Sequence, residues 1–235
     1  MDASAQTSES VTLIVDDFGA QTPQTVDGAT INLFEGDDVT ATADNTVVTD
    51  TNGEAVATLD ACTPLGVKVS KEGTKDTYQS HIVPEAGAEE LTLNSVANST
   101  ETLISSLLGV SLDEDKSVVA GAFYDCAGDP IQNAQVVVRD EDGNIADSLI
   151  IRYADSTGFP SRDQAATSPA GIWFAFNLPP GDLTAEAYVS DGAGGHVLAG
   201  TSEVSSFADA IGIGSIYWGI EGGVWYPPSC LSADE

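Results

Sequence analysis

Alternating acidic side chains make one short stretch of the sequence a candidate metal loop. Residues 140–144 read Asp-Glu-Asp-Gly-Asn, and a further acid follows three residues later. The candidate calcium ligands are Asp140, Asp142, Asn144 and Asp147. Calcium takes about six to eight oxygens, and the stretch lacks the spaced Glu of a full EF-hand loop. An Asp-Gly-Asn tip also suits a tight hairpin, because Gly143 can adopt positive φ. The sequence favours the hairpin and keeps calcium as the alternative.

The chain contains only two histidines, and their positions do not indicate a catalytic site. His81 and His196 fall in different predicted domains. A serine or cysteine hydrolase needs a histidine beside its nucleophile. Residues 192–195 are rich in glycine, but neither a helix nor a lysine follows them, so they do not form a phosphate-binding loop. We predict that the protein is not an enzyme and needs no cofactor, with calcium as the alternative.

Aromatic residues in the second half are candidates for ligand contacts. Alternation along Ile172–Phe176 places Phe174 and Phe176 on one face, expected to be core, and Trp173 on the other. Exposed aromatic rings bind sugars or partner proteins. The candidate binding residues are Trp173, Trp218, Trp225 and Tyr226. Burial at the end of the second domain or between domains is the alternative, and the sequence favours it.

The three cysteines, Cys62, Cys126 and Cys230, allow one disulfide and one spare thiol. None lies in a Cys-x-x-Cys pair, so neither a zinc site nor a redox motif is indicated. Cys126 opens the second predicted domain and Cys230 lies in the tail. In an oxidising compartment we predict a Cys126–Cys230 disulfide, with Cys62 as a buried or free thiol.

Charge excludes two classes of partner. The chain has 235 residues, with 7 Lys and Arg against 37 Asp and Glu, giving a net charge of −30. Nucleic acids and anionic membranes require a positive footprint, so neither is a predicted partner. Solubility in a saline medium explains the charge more simply than cation binding does. No apolar run approaches the roughly 18 residues of a membrane span, so we predict no integral membrane segment.

The sequence predicts β-structure almost throughout, because short runs rich in β-branched residues alternate with Gly, Asp, Asn and Pro. One amphipathic helix interrupts it at Ser99–Leu108, with its leucines expected to pack on a domain. Predicted strands of the first half are 11–15, 29–34, 46–50, 55–60, 66–71, 80–84 and 90–93. Those of the second half are 117–124, 135–139, 145–151, 172–176, 182–190, 197–204 and 212–218.

The two halves repeat one order of turns and strands, which indicates a tandem duplication. In the second half the pattern comprises Asp125, Gly128, Pro130-Ile131, Ala134, Val136, Val138, Thr167, Gly171, Phe174, Leu178–Gly181 and Leu183-Thr184. The first half retains Gly28-Ala29, Ile31, Leu33 and Thr49–Gly53, with 63–66 in place of the Pro-x-Gly element. This order resembles carboxypeptidase regulatory-like domains, which have a prealbumin-like (transthyretin-like) fold. Such a resemblance specifies fold better than function.

The resemblance implies an all-β protein of two tandem prealbumin-like (Ig-like Greek-key) β-sandwiches joined by one short helix. We expect a tether at 1–9, sandwiches at 10–95 and 116–220, a helical linker at 96–115 and a tail at 221–235. This layout is similar to bacterial secreted or surface lipoproteins, so we expect an extracellular or cell-surface location, with a lipid anchor as an open alternative.

The expected function is that of a non-enzymatic structural or adhesive protein that contacts protein or glycan partners. Two alternatives stay open from the sequence. One is a calcium-dependent or carbohydrate-binding module, which would use the acids of the candidate loop or the exposed aromatic rings. The other is a self-associating subunit of a surface polymer, because β-sandwiches carry open edge strands.

Overall fold

The computed structural model describes residues 8–18, 24–145, 149–222 and 224–231. The chain divides into two compact units. Unit 1 comprises residues 1–97 together with 224–235, and unit 2 comprises residues 98–223. The C-terminal segment therefore belongs to the same unit as the N-terminal half of the chain.

Unit 1 is a β-sandwich of two layers. Its strands are β1 (Ser8–Asp17), β2 (Thr30–Glu35), β3 (Asn45–Val48), β4 (Glu54–Asp60), β5 (Leu65–Ser70), β6 (Thr74–Ile82) and β7 (Glu90–Ala97). One layer has the order β4-β1-β7, with β1 and β7 parallel, and the other has the antiparallel order β3-β2-β5-β6. A short β6–β7 ladder joins the layers. A 3₁₀ turn at Pro228–Cys230 lies in the C-terminal segment.

Alternation of small and branched apolar residues builds the core of unit 1. Along β4, Ala55, Ala57 and Leu59 are buried while their neighbours are exposed, as expected for a strand with one face against a core. Strands β1 and β2 follow the same period. Both layers contribute to one cluster, whose fully buried members include Leu13, Ile31, Val67, Val69 and Leu93. Apolar burial of this kind is the main stabilising contribution to folding.

Unit 2 begins with the one α-helix of the described chain, α1 (Asn98–Leu108). The strands are β8 (Ser117–Tyr124), β9 (Gln135–Arg139), β10 (Ile150–Ala154), β11 (Pro160–Ser161), β12 (Ile172–Leu178), β13 (Gly181–Ser190), β14 (His196–Ser206), β15 (Ala210–Ile213) and β16 (Ile216–Tyr217). One layer has the order β11-β10-β12-β8, with β15 and β16 both parallel to β8. The other has the order β14-β13-β9.

Helix α1 ends in a Schellman motif. Gly109 adopts φ +65°, and the N–H groups of Gly109 and Val110 donate to the carbonyls of Ser106 and Ser105. The Arg162 guanidinium donates to the carbonyls of Ser106 and Leu107, which places a positive charge at the negative end of the helix dipole.

The leucines of α1 differ from the sequence expectation. Leu108 is buried, but Leu103 and Leu107 are 54% and 43% exposed. The prediction that the leucine face packs on a domain is therefore wrong for these two residues. Arg162 anchors the helix through its carbonyls at one end, so the helix does not need to bury every leucine.

A buried threonine makes the same hydrogen bonds in both units. The Thr49 hydroxyl accepts the N–H of Ala29 and donates to the carbonyl three residues before that alanine, at 2.8 and 2.7 Å. The Thr167 hydroxyl accepts the N–H of Ala134 and donates to the equivalent carbonyl, at 2.9 and 2.8 Å. This shared geometry supports the tandem duplication that the sequence indicated. Two β-sandwiches and one short helix are confirmed as the fold.

Candidate functional site

Among the described residues, the candidate metal loop is one of five turns with the same geometry. In each turn a carboxylate oxygen of the first Asp accepts the backbone N–H groups two and four residues later, at 2.8–3.1 Å. The third residue after the Asp is a glycine with φ between +78° and +96°. The five aspartates are Asp50, Asp125, Asp140, Asp155 and Asp191. The spacing Asp-x-x-Gly is the sequence signal of this turn.

This geometry assigns a structural role to Asp140. One of its carboxylate oxygens holds the N–H groups of Asp142 and Asn144, as in the four other turns. All three residues are exposed or partly exposed, and Asp147 lies outside the described residues. The part of the chain that the structure describes contains no group of three or more His, Cys, Asp or Glu residues placed to hold a metal ion.

Calcium binding by this loop stays a prediction. Calorimetric melting in CaCl₂ and in chelator tests it, with MgCl₂ at equal ionic strength as the control for screening. A rise in Tm specific to calcium and lost in Asp142→Ala would support the site. Asp142→Ala is a suitable variant because Asp142 contributes its backbone N–H to the turn, while its side chain accepts no hydrogen bond there. An equal Tm in CaCl₂ and MgCl₂ would exclude the calcium site.

Trp173 lies in the core of unit 2, so this candidate ligand residue is not open to a ligand, and the burial that the sequence favoured is what the structure has. The side chain is 0% exposed and belongs to the same cluster as Phe123 and Leu178. Trp173 stands opposite Gly121 of β8, and a Cβ on that glycine would lie 2.9 Å from the indole. The absence of a side chain at residue 121 makes room for the ring. The expected burial of Phe174 and Phe176 is confirmed, so both faces of β12 are buried, which alternation alone does not predict.

Trp218 is one of the exposed aromatic residues of unit 2, with Phe159. It follows β16, and its backbone N–H donates to the Tyr124 carbonyl at 2.9 Å. Its ring stacks on the fully buried Phe123, with centroids 6.1 Å apart and planes 19° apart. The side chain is 42% exposed. Phe123 thus supports an indole ring that remains open to solvent, an arrangement suited to stacking against a sugar or an apolar side chain.

A tyrosine pair is formed by the sequence neighbours of Phe123 and Trp218. Tyr124 and Tyr217 are partners in the β8–β16 ladder, with ring centroids 5.5 Å apart. Burial, with a smaller contribution from Tyr124, raises the pKa of Tyr217 to about 12. Burial also raises the pKa of Tyr124. Both hydroxyls are therefore neutral donors and acceptors at physiological pH, so they can hydrogen-bond a polar ligand without charge. Tyr124 follows Phe123 in β8, so the tyrosine pair belongs to the opposite face of that strand. We call Phe123 and Trp218 the aromatic platform.

Trp225 and Tyr226 belong to unit 1, whereas Trp218 belongs to unit 2. Tyr226 is 38% exposed and Trp225 is partly buried. The four predicted binding residues thus comprise one buried residue, one residue of the aromatic platform and two residues of the other unit. Sequence reasoning missed Phe123 and Tyr124, although their direct adjacency in β8 was visible.

The disulfide joins Cys62 to Cys230, so the predicted Cys126–Cys230 pair is wrong. The Cα atoms of Cys62 and Cys230 are 5.3 Å apart, a normal separation for a disulfide. The 3₁₀ turn brings Cys230 to the Pro84 carbonyl, which also accepts the Cys62 N–H. Cys126 is an exposed free thiol, 3.6 Å from the Trp218 carbonyl. No local pattern in the tail indicates that it belongs to unit 1.

His81 has a partner that sequence reasoning missed. The Asp37 carboxylate accepts the His81 backbone N–H at 2.7 Å and also pairs with its Nδ1 atom. Both residues have positive φ, +73° and +60°. His81 lies at the irregularity in the β5–β6 register, so this pair fixes a bulge in unit 1. His196 is an exposed residue at the start of β14 in unit 2. Absence of enzyme activity stays a prediction.

No helix in the described ranges is both long enough and apolar enough to cross a membrane. No family model matches the chain, and no curated protein matches it. Solved structures that it resembles include BcpA, the major pilin subunit of Bacillus cereus, at 9% identity and a TM-score of 0.32, covering 90% of this chain and 100% of that chain.

Two further similar structures are also pilins. The shaft pilin SpaA from Lactobacillus rhamnosus GG (E269A/D295N double mutant) shares 11% identity at a TM-score of 0.29, covering 90% of this chain and 98% of that chain. GBS52, the minor pilin of Streptococcus agalactiae, shares 10% identity at a TM-score of 0.28, covering 92% and 96%. These similarities assign no family to the chain.

Proposed function

We infer that this chain is a non-enzymatic structural and adhesive protein that works outside the cytoplasm. The observation that carries this proposal is the Cys62–Cys230 disulfide. Disulfides persist in oxidising compartments and are rare where thiols are kept reduced. The net charge of −30 keeps such a protein soluble and opposes binding to anionic membranes.

The position of the disulfide supports a role under mechanical load. Its two cysteines are 168 residues apart, and all of unit 2 lies between them. A pull on the chain before Cys62 and after Cys230 therefore passes through the disulfide and leaves unit 2 unloaded. Ser8 pairs with Asp60 at one end of the β1–β4 ladder, two residues before Cys62. The load would thus open that ladder of unit 1 first.

Force spectroscopy on the full chain tests this role. With handles at the two termini, the oxidised protein should extend without any unfolding event from unit 2. Reduction, or Cys62→Ser, should add about 60 nm of contour length at roughly 3.5 Å per residue. Cys126→Ser serves as the matched control and should behave as the parent protein. Unfolding of unit 2 in the oxidised parent would overturn the proposed load path.

The aromatic platform favours unit 2 as the contact unit for a glycan or protein partner. Trp218 exposes its indole while Phe123 fixes it from below, so little side-chain entropy remains to be lost on binding. Screening of immobilised glycans and surface proteins should give binding that Trp218→Ala abolishes. Tyr226→Ala is the control, because it removes an exposed aromatic residue from unit 1. Equal binding by Trp218→Ala would remove the platform from the proposal.

Exposed valines on two strands of unit 1 favour a second role, as a subunit of a surface polymer. Val48 of β3 and Val56 of β4 are 58% and 63% exposed, and among the described strands β4 pairs only with β1. Open edges of this kind accept a strand from another chain. Sedimentation at rising protein concentration should show association that Val56→Lys weakens. A monomer at every concentration would exclude this role.

A further inference from the structure

We propose that Asn98 is the acceptor of an N-linked glycan. The chain contains eight asparagines, and only Asn98 has a hydroxyl residue two positions later with no intervening proline. The sequence Asn98-Ser99-Thr100 is the acceptor motif for this modification. The proposal rests on the extracytoplasmic location proposed above, because glycosyl transfer to asparagine serves proteins that are exported.

The structure presents this side chain to solvent. Asn98 is the first residue of α1 and directly follows β7, so it lies at the turn from a strand into a helix. Its side chain is exposed, and among the described residues its amide makes no hydrogen bond. Only its backbone carbonyl is engaged, by the Thr102 hydroxyl at 2.8 Å. A glycan on Nδ2 would therefore displace no contact of the fold.

Other asparagines show what an unsuitable acceptor looks like. The Asn177 side chain accepts the Asp113 N–H and donates to the Ser111 carbonyl, at 3.1 and 3.0 Å. The Asn52 amide donates to the Asp50 carboxylate within a hairpin turn. Modifying either amide would break bonds that shape the chain locally. Asn98 combines the motif, the exposure and an unengaged amide.

The transfer step balances with one co-reactant, a glycosyl donor linked to a lipid diphosphate. The Asn98 Nδ2 atom forms a bond to C1 of the first sugar while the bond between C1 and the diphosphate oxygen breaks. One Nδ2 proton is released and the lipid diphosphate departs, with no change of oxidation state. The product carries a bulky, hydrophilic group at the start of α1.

Mass spectrometry of the secreted full chain tests the proposal. In cultured animal cells that glycosylate this motif, the parent protein should gain one glycan that a peptide-N-glycosidase removes. Asn98→Gln and Thr100→Ala should lose it, Thr100→Ser should retain it, and Asn52→Gln is the matched control. The peptide containing Asn98 from the protein's own cells should carry the same type of linkage.

Two outcomes would overturn the proposal. One is an unmodified parent protein secreted with its disulfide formed, and the other is an unmodified Asn98 peptide from the native source. In both cases the intact Cys62–Cys230 disulfide would leave the proposed extracytoplasmic function standing. A reduced protein in the native source would instead contradict that function, whatever the state of Asn98.

Discussion

The two units share one set of strand pairings and differ in the place of one strand. In unit 1, β1 pairs antiparallel with β4 and parallel with β7. In unit 2, β8 pairs antiparallel with β12 and parallel with β15. The β2–β5 pair of unit 1 likewise corresponds to the β9–β13 pair of unit 2. The third strand differs, because β3 joins β2 whereas β10 joins β12 in the opposite layer.

A tyrosine replaces the missing strand contact in unit 2. Tyr153 of β10 is buried, and its hydroxyl accepts the Val136 N–H at 2.9 Å. This bond satisfies an edge group of β9 that a third strand would otherwise cover. The units also differ in what stabilises them. A disulfide joins two segments of unit 1, whereas the core of unit 2 contains the buried Trp173. Two units with the same strand pairings can therefore be stabilised by different local contacts.

Removing the central tryptophan should produce the largest difference between the units. Trp173→Ala should destabilise unit 2 by about 3–5 kcal/mol, because it deletes a fully buried ring. Calorimetry should show a lower Tm for unit 2 and little change for unit 1. Trp218→Ala, at an exposed ring, is the control. If Trp173→Ala does not fold, Trp173→Phe should show a smaller loss in the same unit, and an unchanged Tm would contradict this account.

Removing the disulfide should destabilise unit 1 more than unit 2. Cys62→Ser should cost about 2–5 kcal/mol, since the bond closes a loop of 168 residues in the unfolded chain. Chemical denaturation with and without reductant measures the effect, which should fall mainly on unit 1. Cys126→Ser should leave the curve unchanged. A parent protein insensitive to reductant would show that the bond does not stabilise the fold.

Replacing the equivalent threonines, Thr49 of unit 1 and Thr167 of unit 2, should lower the stability of the two units equally. Thr49→Val and Thr167→Val each leave a buried alanine N–H without its acceptor, at a cost of about 1–3 kcal/mol. Thr49→Ser and Thr167→Ser keep the hydroxyl and should lose less. Denaturation of the four variants compares the units directly. Unequal costs would mean that the repeated geometry stabilises one unit more than the other.

The smallest expected effect is on the pH dependence of stability, through an aspartate in a hairpin turn. Hydrogen bonds from Thr157, and then from the Phe159 N–H, lower the pKa of Asp155 below the ordinary 3.8. The unfolded chain then takes up the proton first, so this stabilisation is complete above about pH 4 and is lost as pH falls through the folded pKa. Melting between pH 5 and 3 should show a shallower loss for Asp155→Asn than for the parent. Asp163→Asn is the exposed control, and identical slopes would exclude the effect.

Local pattern predicted most elements closely and some poorly. The predicted strands at 55–60, 117–124 and 135–139 match β4, β8 and β9 within a residue. Strand β6 begins at Thr74 rather than residue 80, because its polar first half pairs with β5 and β7 and needs no apolar alternation of its own. The predicted strand 145–151 overlaps β10 at Ile150 and Ile151, while Ile145 bridges back to Arg139 and residues 146–148 lie outside the described residues.

The amino-acid sequence by itself determined the two β-sandwiches, the helix and the turns, because strand periodicity and Asp-x-x-Gly turns act over a few neighbouring residues. Tertiary structure alone decided that Trp173 faces the core, that Cys62 pairs with Cys230 and that Trp218 stacks on Phe123. The disulfide and the ring stack each join residues far apart in the chain, and the core around Trp173 includes residues of several strands. Which distant surfaces meet depends on packing and chain path, and local pattern does not encode either.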